Sequence, residues 1–158
     1  MTFEPKRICC LLDGDHLSGA PLDVAVSLAL RYGAELALLH LGQAAHLLSG
    51  EDLAACGLSR GEAAAIGAAA SERLFTEARS IADRAGVRVG GNGLRECLSD
   101  QEVLDFLRVE AIDLLVLGGG DPHEPLGTLF RTHAERLVHK ALCPALMVRQ
   151  PARASLSA

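Results

Sequence analysis

The chain has 158 residues, enough for one domain with a full hydrophobic core. With 49% hydrophobic and 22% charged residues, it is too apolar and too weakly charged to remain disordered. A net charge of −5, with four Phe, one Tyr and no Trp, weighs against a nucleic-acid binder, which needs cations for phosphates and rings for base stacking. Ile8 to Leu12 is continuously apolar and ends at Asp13-Gly14, as a strand buried on both faces does. Pro21 suits a first helical turn, and Leu22, Ala25, Val26, Ala29 and Leu30 recur at helical spacing up to Gly33. Leu36 to Leu41 reads as a second buried strand. Residues 42–62 are less regular, with a short helix after Ser49. Ile66, Ala70, Leu74, Ala78, Ile81 and Ala85 mark one face of a long helix that Gly86 stops.

Val87 to Val89 begins a third strand that Gly90-Gly91-Asn92-Gly93 weakens or shortens. Ser99 and Glu102 have capping-box spacing, and Val103, Phe106 and Leu107 supply the next helix with its apolar side. Leu114 to Leu117 is a fourth strand, followed by Gly118-Gly119-Gly120. Ala134, Leu137, Val138 and Ala141 mark a last helix, Ala145 to Val148 a fifth strand after Pro144, and residues 150–158 a frayed tail. Buried strands alternating with amphipathic helices predict an α/β fold with a parallel sheet between two helical layers. Residues 1–149 form one domain in this reading, with neither repeat nor linker.

No apolar run reaches the roughly 18–20 residues of a membrane span, and the short run after Lys6-Arg7 lacks the form of a signal peptide. A soluble, cytoplasmic protein without membrane or nucleic-acid partners is expected. Cys9, Cys10, Cys56, Cys97 and Cys143 make an odd number with no C-x-x-C, which disfavours a disulfide framework or a zinc ribbon. They read as buried thiols packing as small hydrophobes.

In open α/β sheets ligands sit beyond the carboxyl ends of the strands, where strand order reverses. For the order 3-2-1-4-5 that crevice lies between strands 1 and 4. The loops leaving those strands carry Asp13-Gly14-Asp15-His16 and Gly118-Gly119-Gly120-Asp121-Pro122-His123. Glycine lets backbone N–H groups approach a phosphate, but three glycines also make a permissive strand exit. Asp13, Asp15, His16, Asp121 and His123 are metal-binding residue types, yet their spacing matches no known signature and no metal site is assigned. No nucleophile elbow, P-loop or H-E-x-x-H is present. His40, at a strand end, and Ser27, in an apolar helix, have no partner by spacing. His46, His133 and His139 read as structural or solvated. A receiver domain would need an acceptor Asp after strand 3, where this chain has Gly90 to Gly93, and a flavodoxin a hydroxyl-rich loop after strand 1. No enzymatic activity is expected.

Five segments resemble the universal stress protein family. They are Ile8-Cys9-Cys10-Leu11-Leu12-Asp13-Gly14, then Arg31 to Leu41, and above all Asp113-Leu114-Leu115-Val116-Leu117-Gly118 continuing to Ala134-Glu135-Arg136-Leu137 and Cys143 to Arg149. The resemblance runs from Arg7 to Arg149 and implies a three-layer α/β/α sandwich with a five-stranded parallel sheet of order 3-2-1-4-5, as in adenine-nucleotide α-hydrolase-like proteins. It implies a candidate nucleotide pocket of Leu12, Asp13, Leu41, Leu117, Gly118, Gly120, Asp121, Arg131, Thr132 and His133. Asp13 corresponds to the acid that meets the nucleoside, and Leu41 to an aliphatic adenine contact that also fits plain core packing. Nucleotide-binding members share a loop motif G-x-x-G-x₉-G-[ST]. Here its glycines fall on Gly118, Asp121 and Arg131, and its hydroxyl on Thr132. Asp121 brings a carboxylate towards phosphate, whereas Arg131 blocks a close backbone approach but offers a guanidinium fork. Thr132 reads equally as ligand contact or helix N-cap. The resemblance therefore implies a non-catalytic stress-adaptation protein with impaired or absent ATP binding and no firm cofactor. Its alternative is an ATP sensor holding phosphates with the Gly118–Gly120 loop, Arg131 and Thr132. It further implies a homodimer paired along Ala145, Leu146, Met147 and Val148, an edge strand in that order.

Overall fold

The computed structural model describes residues 2–12, 19–41, 50–97, 99–119 and 127–149. Strand β1 (Arg7–Leu12) leads to helix α1 (Gly19–Tyr32) and strand β2 (Glu35–Leu41). Helices α2 (Gly50–Ala55) and α3 (Arg60–Ala85) precede strand β3 (Val89–Cys97) and helix α4 (Asp100–Val109). Strand β4 (Leu114–Gly118), helix α5 (Gly127–Lys140) and strand β5 (Ala145–Val148) complete the order. The sheet runs β3-β2-β1-β4-β5, the order the family resemblance implies, and every neighbouring pair is parallel, as the alternating pattern predicts.

Side chains alternate along a strand, so each strand feeds both faces of the sheet. Ile8, Cys10 and Leu12 pack with Leu36, Leu38 and Val116 under α1 and α3. Cys9 and Leu11 pack with Leu39, Leu41, Leu115 and Leu117 under Val103 and Phe106 of α4 and Leu137 of α5. Burial on both faces is why β1 and β4 read as apolar runs and why β2 is apolar from Leu36 to Leu39 and at Leu41, with His40 as its buried polar exception.

Several local expectations change. In α1, Leu30 is 58% exposed, and the buried stripe is Pro21, Leu22, Ala25, Val26 and Ala29. The long helix opens at Arg60, because Ser59 and Glu62 form a reciprocal capping box: Ser59 Oγ accepts from the Glu62 N–H, and the Glu62 carboxylate accepts from the Ser59 N–H. Its buried stripe runs through Ala63, Gly67, Ala70, Ser71, Leu74, Ala78 and Ala82, whereas Ile66 is 58% exposed. Gly86 closes the helix at φ 80°, a left-handed cap that glycine adopts without a Cβ clash.

β3 continues through the glycine run to Cys97 and so is not shortened, but its pairing with β2 loses register there, from Leu36 opposite Val89 to Leu38 opposite Leu94, which weakens the ladder as expected. The reason for Gly90 is steric. A Cβ at Gly90 would stand 2.1 Å from Glu35 Oε1, so glycine leaves room for the carboxylate that bridges Arg88 at 2.7 Å and Arg7 at 3.4 Å. Ser99 caps α4 as expected, its hydroxyl accepting from the Glu102 N–H at 3.2 Å. Cys9, Cys10 and Cys97 are buried, but Cys56 is exposed, against the expectation for all five thiols. Burial pushes the Cys9 thiol well above its ordinary range. No helix of the described residues is long and apolar enough to cross a membrane.

Candidate functional site

The crevice expected between strands 1 and 4 is set by the sheet. β1 and β4 are neighbours with Leu11 opposite Leu117, so both strands end at the same edge. Strand order reverses there, with β1–β2–β3 on one side and β4–β5 on the other. Leu12, Leu41 and Leu117 are 6%, 4% and 1% exposed. Leu12 packs towards α1 and α3, whereas Leu41 and Leu117 pack towards α4 and α5. All three therefore belong to the core at this edge, the packing role that Leu41 was expected to share with a ligand contact.

Gly118 ends β4 opposite Val148. At Gly119 an added Cβ would meet Met147 Sδ at 3.6 Å, ordinary van der Waals contact, and neither glycine is among the described residues of positive φ. The backbone of Gly118 and Gly119 thus imposes no need for glycine through φ, and space at Gly119 imposes none either. Asp13, Asp15, His16, His46, Gly120, Asp121 and His123 lie outside the described residues. Among the described residues no group of three or more His, Cys, Asp or Glu could hold a metal ion.

Helix α5 changes the reading of the motif's end. It opens at Gly127, so Arg131 and Thr132 lie inside it, and the expected N-cap role of Thr132 is corrected. Only the first four N–H groups of a helix lack an internal acceptor. Arg131 and Thr132 are the fifth and sixth residues of α5, beyond that first turn, so their N–H groups donate to carbonyls four residues back.

His133, one turn further on, is tied to the neighbouring helix. Its Nδ1 lies 2.8 Å from Asp100 Oδ1, and Arg136 Nε lies 3.2 Å from Asp100 Oδ2. One carboxylate in the first turn of α4, where the helix dipole favours negative charge, receives two groups from α5. His133 thus joins α4 to α5 through the Asp100 carboxylate.

A second polar contact escaped the sequence. His40 is fully buried, and its Nδ1 is in hydrogen-bond contact with Ser71 Oγ on α3. Phe75 sets its ring edge-on to the imidazole, with centroids 6.3 Å apart. His40 and Ser71 are the buried polar side chains of the described core. No spacing signal could have paired them, because they stand 31 residues apart and meet only when α3 docks on β2.

The sequence pattern of the universal stress protein family matches residues 4–149. The universal stress protein UspA from Lactobacillus plantarum superposes with a TM-score of 0.69 at 18% identity, covering 91% of this chain and 97% of that one. A universal stress protein in complex with cAMP superposes at 0.58 with 14% identity, over 92% of this chain and 97% of that one. The universal stress protein from Archaeoglobus fulgidus in complex with dAMP gives 0.56 and 14%, over 92% and 98%. At these identities the structural likeness is one of fold. Among curated proteins no sequence matches the chain.

Proposed function

The chain belongs to the universal stress protein family, and from that premise we propose that it acts as a non-catalytic member in stress adaptation whose crevice binds ATP poorly. The observation that carries this reading is the start of α5 at Gly127. A phosphate loop closes on a glycine and hydroxyl pair whose backbone N–H groups must be free to face oxygen. Here the matching positions are Arg131 and Thr132, and their N–H groups are spent inside the helix. Asp121, where the motif has its second glycine, adds a carboxylate to the same loop and repels phosphate at short range.

A second reading is favoured by the two relatives solved with cAMP and dAMP. In it the crevice takes an adenine nucleotide with few phosphates, using the Gly118–Gly120 loop and the Arg131 guanidinium. Titration of ligand-stripped protein with ATP, dAMP and cAMP separates the two. Under the preferred reading none of them saturates; saturation by dAMP or cAMP alone favours the second. Repair gives an independent test. Asp121→Gly with Arg131→Gly removes the carboxylate and places a poor helix former at 131, shifting the helix start towards Thr132. The double variant should bind ATP at least about tenfold more tightly than the parent. No gain in a variant with unchanged circular dichroism would place the obstruction elsewhere.

The working unit is a cytoplasmic homodimer in this proposal, its two sheets joined along β5. Support comes from the edge position of β5 and from Leu146, which is 40% exposed on it.

A further inference from the structure

At the β3 edge of the sheet, separated from β4 by β1 and β2, helix α3 and strand β3 border a groove of about 340 Å³. That volume falls at the lower end of the roughly 300–1,000 Å³ of small-molecule sites. Ala68, Phe75 and Leu94 give it an apolar wall. Ser71 lines it from within, 3% exposed, with its Oγ against the fully buried His40 Nδ1. When Nδ1–H donates to Ser71 Oγ, the hydroxyl proton is free to donate again, into the groove. Arg79 lines the same groove and makes no ion pair or hydrogen bond through its side chain among the described residues. Helical Cα–Cβ bonds tilt towards the N-terminus, which leans Arg79 back over the turn that carries Phe75. Glu72 stands on the same rim and adds one negative charge.

We propose that this groove binds a medium-chain monocarboxylate. The carboxylate accepts from Ser71 Oγ–H and from the Arg79 guanidinium, and the chain lies along Phe75, Leu94 and Ala68. His40 acts as a positioning residue that orients the Ser71 hydroxyl without touching the ligand. The far end of the chain meets the apolar wall, where a second carboxylate would lose its hydration, so the site prefers a monoanion to a dianion. This site is separate from the β1–β4 crevice and does not depend on whether that crevice holds a nucleotide.

The test is NMR titration of the full chain with octanoate, 1-octanol and octanedioate, following the amides of Ser71, Phe75 and Leu94. Octanoate should saturate these shifts, octanedioate should bind more weakly, and ATP should not compete. Arg79→Gln should weaken octanoate about tenfold, the scale of a lost charge-assisted contact, and leave 1-octanol within about twofold. Ala68→Trp should abolish both by filling the groove. Ala68 and Arg79 are exposed on α3, so both variants keep the fold even if Ser71→Ala does not. No shift at these amides up to about 10 mM octanoate, or octanoate binding unchanged in Arg79→Gln and Ala68→Trp, would overturn the proposal.

Discussion

His40 carries the largest polar burden in the core, fully buried between β2 and α3 with Ser71 as its partner. Removing the Ser71 hydroxyl breaks a buried polar contact of the imidazole, and removing the ring also opens a cavity. His40→Ala should therefore cost about 2–4 kcal/mol in chemical denaturation, and Ser71→Ala about 1–2 kcal/mol. Equal costs for the two would mean that the imidazole contributes no packing. The cysteines follow burial in the same way. An aqueous thiol reagent should modify Cys56 first, with Cys9, Cys10 and Cys97 reacting only on unfolding, as peptide mass mapping would show. The sequence revealed Cys9 and Cys10 as buried because they sit in an apolar run. It could not reveal Cys56, whose exposure follows from its place just after the short helix α2.

At the level of elements, legibility tracked how much of the folding signal was local. β1, β2, β4 and the face of α4 were readable because apolar runs and helical spacing are properties of neighbouring residues. Ser59 and Glu62 at the start of α3 have the same capping spacing as Ser99 and Glu102 at the start of α4. The apolar residues after Ser59 are mostly alanine, so the run looked featureless. Ser59→Ala should lower stability by about 1 kcal/mol through the lost cap. Gly86→Ala should lower it by a similar amount, about 1 kcal/mol, since φ 80° disfavours a Cβ. The glycines of β3 signal its break in register with β2 but not its full length, and the reason for Gly90 is the Glu35 carboxylate, far away in sequence. The same limit hid the start of α5. Thr132 is a good N-cap residue type, but tertiary structure places it inside the helix that begins at Gly127.

Across the whole molecule, the strand order leaves β3 and β5 as edges, and β5 is short, apolar and free of proline. Pairing of β5 with its copy around a two-fold axis would cover those unpaired groups with one self-complementary contact. Sedimentation at tens of micromolar should give a dimer mass, and Met147→Pro should shift it towards monomer by removing a backbone donor. A monomeric mass for the unmodified chain would contradict the assembly. The nucleotide crevice was legible in its place but only partly in its chemistry. Strand ends and the order reversal put it between β1 and β4, whereas the helix start that occupies the motif's last N–H groups required the fold. The most direct measurement of the central claim is calorimetric titration of ATP, with magnesium, into the ligand-stripped full chain. A crevice that binds ATP poorly gives an affinity weaker than about 100 μM. Low-micromolar binding of ATP, weakened more than adenosine binding by Arg131→Ala, would contradict it.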